Sequence, residues 1–190
     1  MGKILRRYQR LIAVVLFLAV LLTVFELSGL RGHFSLAFLQ QQINENRITG
    51  LLVFVALFVL SNLIQIPGWI FLVAAILTLG RGWGGLATYI AASLSCVVTF
   101  LTIRLVGGAA LRELKNKTAQ RILGRLDAHP IQSVFVLRVL FQTLPALNYA
   151  LALSGIPFRK YMAGTLLGLP LPIIFYCLLF DYLAKAFKIL

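Results

Sequence analysis

IQSVFVLRVLFQTLPALNYALALSG, residues 131–155, is apolar enough to lie in a membrane, yet it contains Arg138, Pro145, Asn148 and Tyr149. An arginine at bilayer depth costs about 2.5–3.5 kcal/mol on insertion scales, and a proline removes a backbone hydrogen-bond donor. In hydrocarbon, a broken helix survives only where it packs inside protein or lines a water-filled cavity. The stretch therefore predicts a buried site within a membrane protein rather than a purely structural span.

The composition of the whole chain also indicates a membrane protein. Of the 190 residues, 61% are hydrophobic and 12% are charged, and the mean hydropathy is +0.95. A soluble fold of this size could not bury so much apolar surface. Several apolar runs approach the roughly 20 residues that a spanning helix needs. We therefore expect an all-α fold, a polytopic bundle of membrane helices.

The net charge of +13 comes from 18 Lys and Arg against five acidic residues. Such an excess can indicate nucleic-acid binding, but here the charges lie mainly in short segments between apolar runs. Cytoplasmic loops accumulate Lys and Arg, and anionic headgroups attract them. We therefore expect membrane lipids with anionic headgroups as partners and no nucleic acid, and we leave a homo-oligomer open. The expected location is the plasma membrane (a bacterial inner membrane), multi-pass, with a cytoplasmic N-terminus.

The chain divides into an N-terminal membrane helix with its loop (1–49), a membrane domain (50–181) and a C-terminal tail (182–190). The first span is expected at 11–28, and residues 29–49 could hold a short interfacial helix. Within the membrane domain, a basic segment at 107–129 separates two halves, at 51–106 and 131–181.

The first half has the pattern of a re-entrant hairpin. An apolar helix at 51–66 stops at Pro67-Gly68, and the run at 69–79 is too short to cross a bilayer alone. A glycine-rich turn, GRGWGG, then precedes a crossing helix. A single kinked helix over 51–79 is the alternative.

The second half repeats this order, with Pro145 as the break, Gly155 as the turn and a last span at 161–180. Because one crossing helix at 83–106 separates the two halves, their orientations are opposite. Inverted repeats whose broken helices meet near the midplane are a recurrent plan of transporters. We therefore predict two inverted, proline-broken re-entrant hairpins.

The basic segment between the halves has an amphipathic pattern. Leu111, Leu114, Ile122 and Leu126 fall within one arc of a helix, which Lys115 and Arg125 interrupt. This pattern predicts a helix on the cytoplasmic membrane surface. A solvated linker helix is the alternative, and we leave both open.

Arg138 is the first candidate for binding a phosphate, because its guanidinium carries a fixed charge and a planar fork. A structural ion pair with Glu26 or Asp181, or snorkelling to the interface, would be the alternatives. Arg104 is a weaker candidate, since long side chains near a helix end usually snorkel.

The proline breaks free backbone donors, so the return arms would begin near the midplane with positive dipole ends that attract anions. Asn148 and Tyr149 could donate to a headgroup or satisfy the freed carbonyls. We predict no catalytic residue, metal ligand or cofactor. Cys96 and Cys177 lie in apolar runs without metal spacing, and no nucleophile stands beside a plausible base, so an enzyme is not expected.

Several motifs occur in a characteristic order. The first half contains Ile66-Pro67-Gly68, Gly80-x-Gly82-x-Gly84 and Phe100-x-x-x-Arg104. The second half contains Arg138, Pro145, Asn148-Tyr149 and Ser154-Gly155-Ile156, followed by Gly168 and Pro170. Over about 50–180, this order resembles the VTT domain, which is shared by DedA-like bacterial membrane proteins and SNARE-associated Golgi proteins.

The resemblance implies two re-entrant hairpins and the transport or scrambling of lipids, since relatives have been linked to recycling of a polyprenyl-phosphate carrier and to phospholipid scrambling. The chain departs from the family at Phe141, where a proline is common. Asn62, Gln65 and Trp69 stand where DedA-type members carry acidic residues associated with proton coupling. Proton-driven transport is therefore not expected, and a divergent branch of the superfamily is the better match.

Together these patterns predict an integral membrane protein that transports or scrambles a phosphate-bearing lipid through two opposed hairpins. The predicted substrate site comprises Arg138, Pro145, Asn148, Tyr149 and Arg104, and the predicted hairpin breaks are Pro67, Gly68 and Gly155. A scaffold or assembly factor that binds partners through the basic helix is one alternative function. A small-solute transporter is another.

Overall fold

The computed structural model describes residues 2–28, 38, 41, 46–64, 66–113, 117–141 and 144–186. The helices are α1 (Gly2–Leu27), α2 (Arg47–Leu63), α3 (Trp69–Gly107), α4 (Lys117–Ala128), α5 (Pro130–Phe141), α6 (Pro145–Leu153), α7 (Phe158–Gly168) and α8 (Pro170–Ala186). A short 3-10 helix, Ala110–Glu113, precedes α4. The interfacial helix predicted within 29–49 falls largely outside the described residues.

Three helical stretches are long and apolar enough to cross a membrane: Gln9–Leu27, Trp69–Gly107 and Phe158–Phe180. The regular structure of the described residues is helical, which confirms the prediction of an all-α membrane bundle. By contrast, α5 has 12 residues and α6 has 9. At about 1.5 Å per residue, neither reaches across a hydrocarbon core of about 30 Å.

The first hairpin closes through aromatic side chains. Asn46 caps α2, because its Oδ1 accepts hydrogen bonds from the backbone N–H groups of Ile48 (3.0 Å) and Thr49 (3.2 Å). After the break at Pro67, the ring of Phe71 lies 5.1 Å from that of Phe58, centroid to centroid. The chain therefore folds back on α2, and the alternative of one long helix over 51–79 is wrong.

A second reversal follows within α3 at Gly80, whose φ of 74° and ψ of 169° leave the helical region. Beyond it the chain returns alongside its own preceding turns, since a Cβ on Gly84 would lie 2.6 Å from the carbonyl oxygen of Ala75. The turn predicted for the whole GRGWGG stretch is therefore confined to Gly80. Helix resumes at once, earlier than the predicted start at residue 83.

The second half packs differently. Helix α5 lies against α7, where Gly164 and Gly168 allow the two backbones to approach, and α6 lies mainly against α3. The predicted last span at 161–180 comprises α7 and α8, which Leu169 joins with helical φ and ψ of −67° and −35°, so that Phe158–Phe180 is one stretch long enough to cross. Pro170 opens α8, as its missing donor favours a helix start.

The two hairpins enter the bundle from opposite ends. Gly107, at the end of α3, lies against Val14 and against Leu153 at the end of α6. At the other end, Arg47 at the start of α2 and Trp83 line one groove. The broken tips meet between these ends, as described below. Insertion of the hairpins into a bilayer from either side stays a prediction.

The basic segment contains the 3-10 helix and α4. Leu126 is buried on the inner face of α4, whereas Arg121 and Arg125 are exposed. One face of α4 thus packs on the bundle, as expected for a surface helix. Its placement on the cytoplasmic leaflet stays a prediction, and Leu114 and Lys115 fall outside the described residues.

Candidate functional site

Arg138 lies in the last turn of α5 and is 1% exposed, so the alternative of snorkelling is wrong. Its Nη2 donates a hydrogen bond of 2.8 Å to the hydroxyl of Tyr161, and its Nε donates one of 3.3 Å to Oγ1 of Thr165. Both partners are on α7. Gly168, one turn further along, lies directly against Cβ of Arg138 and leaves room for it.

The partners of Arg138 are neutral oxygens. Among the side chains that the structure describes, no carboxylate lies within ion-pair distance of the guanidinium. The predicted pair with Glu26 is therefore wrong, and the side chain of Asp181 lies outside the description. Within the same set of residues, Nη1 has no hydrogen-bond partner. A buried cation without a counter-ion is costly, so the site favours an anion.

A hydrogen-bond network continues from Tyr161 to the tip of the second hairpin. The Tyr161 hydroxyl lies 3.3 Å from the carbonyl oxygen of Cys96 and 3.4 Å from Oδ1 of Asn148. Because the hydroxyl accepts from Arg138, it can donate its own proton to either oxygen. Arg138 and Asn148 are thus joined through a single side chain.

The tips of the two hairpins are joined by hydrogen bonds that Asn148 and Tyr149 donate. Nδ2 of Asn148 donates to Oδ1 of Asn62 at 2.8 Å. The Tyr149 hydroxyl lies 3.0 Å from the carbonyl oxygen of Asn62 and 2.7 Å from that of Leu63. These carbonyls belong to the end of α2, where the helix leaves them without partners. Tyr149 therefore satisfies the freed carbonyls, which is one of its two predicted roles.

A small cavity lies at the meeting point of the tips. Its volume is about 30 Å³, and it is lined by Phe58, Asn62, Gly68, Trp69, Leu72, Thr88, Ala92, Cys96, Arg138, Pro145, Asn148, Leu169 and Tyr176. A cavity needs a volume of roughly 10–15 Å³ to hold one water molecule. The cavity therefore has room for about one or two waters, and in this conformation it is closed to a lipid headgroup.

Both return arms begin at this cavity. Gly68 precedes the first residue of α3 and Pro145 is the first residue of α6, and both line it. Helix N-termini carry unpaired N–H groups and a partial positive charge. Together with the buried guanidinium of Arg138, they make the cavity a place of positive potential.

The predicted residues Arg104 and Gly155 do not line this cavity. Nη2 of Arg104 donates to the carbonyl oxygen of Ile156 at 2.8 Å, and its Cζ lies 4.9 Å from the ring centre of Phe100. Gly155 has a φ of 82°, which makes it the turn after α6, and it lies against the side chain of Arg112. Both residues therefore shape the end of the second hairpin.

Sequence reasoning missed Tyr161 and Thr165. It named Asn62 as a position where the chain departs from DedA-type members. A signal exists in the sequence: Tyr161, Gly164, Thr165 and Gly168 recur at helical spacing, so they share one face. Polar side chains and glycines on one face of an apolar helix indicate close packing around a buried polar group.

A family model described as the VTT domain matches residues 66–182, more than half of the chain. The matched region includes Arg138, both proline breaks and the tip residues of the second hairpin. It leaves out α1 and α2. No curated protein and no solved structure gives a significant match.

Proposed function

The chain belongs to the VTT domain family, the domain of DedA-like and SNARE-associated Golgi proteins, and on that premise we propose that it moves a phosphate-bearing lipid across the membrane. Arg138 would bind the headgroup at the meeting point of the hairpin tips, while the acyl chains remain in lipid. The expected location is the plasma membrane. We also predict that the chain belongs to a divergent branch of the superfamily and that it does not depend on a proton gradient.

The observation that carries the proposal is the environment of Arg138. The side chain is 1% exposed, and its hydrogen-bond partners are the neutral oxygens of Tyr161 and Thr165. A guanidinium fits a phosphate through two parallel hydrogen bonds. Ionisable residues inside a membrane protein usually mark a substrate pathway. An incoming phosphate would supply the negative charge that the described surroundings lack.

The cavity of about 30 Å³ implies that binding requires the tips to separate. The bonds of Asn148 and Tyr149 to the end of α2 hold the closed state together. The breaks at Pro67 and Pro145 provide hinges, because neither can continue a helical hydrogen-bond ladder. Opening would then bring the headgroup to Arg138 and to the two helix N-termini.

The direct test compares purified variants in proteoliposomes that carry a fluorescent phospholipid in one leaflet. Arg138→Ala should abolish lipid movement, and Arg138→Lys, which keeps the charge but loses the fork, should retain part of it. Arg159→Ala is the matched control, because it removes an arginine from an exposed position. Normal lipid movement by Arg138→Ala would refute the assignment.

Folding and transport must be separated in this test. A thermal unfolding midpoint for each variant shows whether a loss of movement is a loss of structure, and Arg138→Lys covers the case in which the alanine variant unfolds. Ion flux in the same vesicles without lipid movement would instead favour a small-solute transporter.

The orientation can be tested independently. Arg10, Arg112, Arg125, Arg159 and Lys160 belong to the end of the bundle where α1 begins. Under the positive-inside rule this end is cytoplasmic. An N-terminal tag should therefore be accessible to a protease only when the cytoplasmic side is exposed.

A further inference from the structure

The two hairpins differ in how their arms are held. The arms of the first touch through Phe54, Phe58 and Phe71, with Phe54 and Phe71 ring centroids 5.8 Å apart. The arms of the second diverge, because α5 packs on α7 while α6 packs on α3. The space between them is a groove of about 660 Å³ that α4 borders on its third side.

The groove has an apolar floor and a polar mouth. Leucines from three helices line it, among them Leu126 of α4, Leu137 of α5 and Leu151 of α6. Arg125 and His129 also line the groove, and both side chains are exposed. Its volume falls in the range of about 300–1,000 Å³ that is typical of small-molecule sites.

The charges near the mouth are unbalanced in favour of cations. No carboxylate is among the residues that line the groove. Both carboxylates of the adjoining described segment already have arginine partners: Asp127 accepts two hydrogen bonds from Arg112, of 2.6 and 3.0 Å, and Glu113 lies 3.4 Å from Arg10. The exposed Arg125 therefore presents positive charge beside an apolar channel.

We propose that this groove docks one acyl chain of an anionic glycerophospholipid, whose phosphate lies at Arg125 and His129. The shape and the charge both fit this occupant, because the chain needs an apolar channel and the headgroup needs a cation at its end. The proposal rests on the proposed function and identifies the place where the substrate enters.

The position of the groove connects it to the site. Leu137 faces the groove and the next residue, Arg138, lines the cavity, so α5 forms a wall of both. His129 precedes Arg138 by nine positions in the sequence, which is about 14 Å along a helix at about 1.5 Å per residue. A docked headgroup would have to move that distance, guided along α5, to reach the buried guanidinium.

Docking can be measured without transport by tryptophan quenching. The reporter is Val136→Trp, which lines the groove and is 49% exposed. The matched control is Leu101→Trp, which is 47% exposed and lies outside the groove lining. Both positions are six residues from the helix end on the same side of the bundle, Leu101 from Gly107 and Val136 from Pro130. Trp69 and Trp83 are replaced by Phe in every variant.

The probe is a phosphatidylglycerol with brominated acyl chains, present at a few per cent in phosphatidylcholine vesicles. Quenching of Val136→Trp should exceed that of Leu101→Trp several-fold. The excess should disappear with brominated phosphatidylcholine and fall with Arg125→Gln. Equal quenching at both positions, or an excess indifferent to the headgroup and to Arg125→Gln, would overturn the proposal.

Two additions keep the result interpretable. Ile122→Trp reports on the groove from α4 if Val136→Trp does not fold. Arg138→Gln should leave the excess quenching unchanged while it stops lipid movement. Quenching without movement would then count against the proposed function alone, and Arg138-dependent movement without excess quenching would count against the groove alone.

Discussion

Asn148 and Asn62, 86 residues apart in the sequence, are joined by a hydrogen bond of 2.8 Å from Nδ2 to Oδ1. Asn62 lies in the last turn of α2 and Asn148 in the first turn of α6, so this bond joins the broken end of one hairpin to that of the other. Asn148 is buried and Asn62 is half-buried, so this amide pair has few alternative partners in an apolar bundle. The bond therefore fixes the register in which the two halves meet.

Tyr149 makes the same junction, and its removal should destabilise the fold. Tyr149→Phe deletes the hydroxyl that reaches the carbonyls of Asn62 and Leu63. Unpaired buried groups cost about 1–3 kcal/mol, so the thermal unfolding midpoint in detergent should fall. The control is Tyr182→Phe, because Tyr182 is 71% exposed. Equal midpoints for the two variants would show that the junction does not hold the closed state.

Tyr161 should position the guanidinium rather than bind the substrate itself. Tyr161→Phe removes the 2.8 Å bond to Nη2 of Arg138. Bonds to charged groups contribute about 1.5–3 kcal/mol, and about 1.4 kcal/mol corresponds to a factor of ten. The rate of lipid movement in proteoliposomes should therefore fall about tenfold or more.

Two further measurements distinguish positioning from general damage. The preference for anionic over zwitterionic lipid should weaken in Tyr161→Phe, which a purely structural defect would not cause. Thr165→Val, which removes the longer 3.3 Å bond to Nε, should have a smaller effect. Unchanged preference in both variants would contradict the positioning role.

The sequence predicted those features that depend on the cost of burying polar groups in hydrocarbon. Arg138, Pro145 and Asn148 were identified because each is expensive there, and the structure places all three around one cavity. Periodicity could not show which helix supplies the partners. The hydroxyls of Tyr161 and Thr165 come from α7, and the contact of α7 with α5 depends on two glycines of α7, Gly164 and Gly168.

The sequence could not distinguish the two hairpins from each other. Both have an arm, a proline and a return, but the separation of α5 and α6 follows from their separate contacts with α7 and α3. The extent of the first turn was also beyond local reasoning. Gly82 and Gly84 lie in helix, and Gly80 alone takes up the left-handed φ.

The ion pair of Arg112 and Asp127 should make a small contribution to stability that depends on pH. The hydrogen bonds from Arg112 lower the pKa of Asp127 below its usual value and raise the pKa of Arg112. A lowered folded pKa means that the contribution is complete above the unfolded pKa and is lost as the pH falls through the folded one. Since the pair is about half exposed, we expect about 0–1 kcal/mol.

The measurement compares the wild type with Asp127→Asn in detergent at two pH values. At neutral pH the wild type should unfold at a slightly higher temperature, and the difference should shrink below about pH 4 and in high salt. A difference of the same size at acidic and neutral pH would exclude the ion pair as its cause.

Gly84 and Gly82 offer a matched test of the reversal within α3. A Cβ on Gly84 would lie 2.6 Å from the carbonyl oxygen of Ala75 and 2.8 Å from the backbone N of Ile76. Backbone atoms cannot rotate away, so Gly84→Ala should force the two segments apart and cost about 1–3 kcal/mol or more. A Cβ on Gly82 would meet nothing within 4 Å. Gly82→Ala should therefore be neutral or stabilise the helix by up to about 1 kcal/mol.

Thermal unfolding midpoints of the two variants in the same detergent decide the matter. The midpoint of Gly84→Ala should fall and that of Gly82→Ala should stay or rise, although both replace a helical glycine two positions apart. If α3 instead ran straight, Ala75 would lie about 14 Å from Gly84 along the helix axis, at about 1.5 Å per residue. Both substitutions would then favour the helix, and a rise of both midpoints would refute the hairpin.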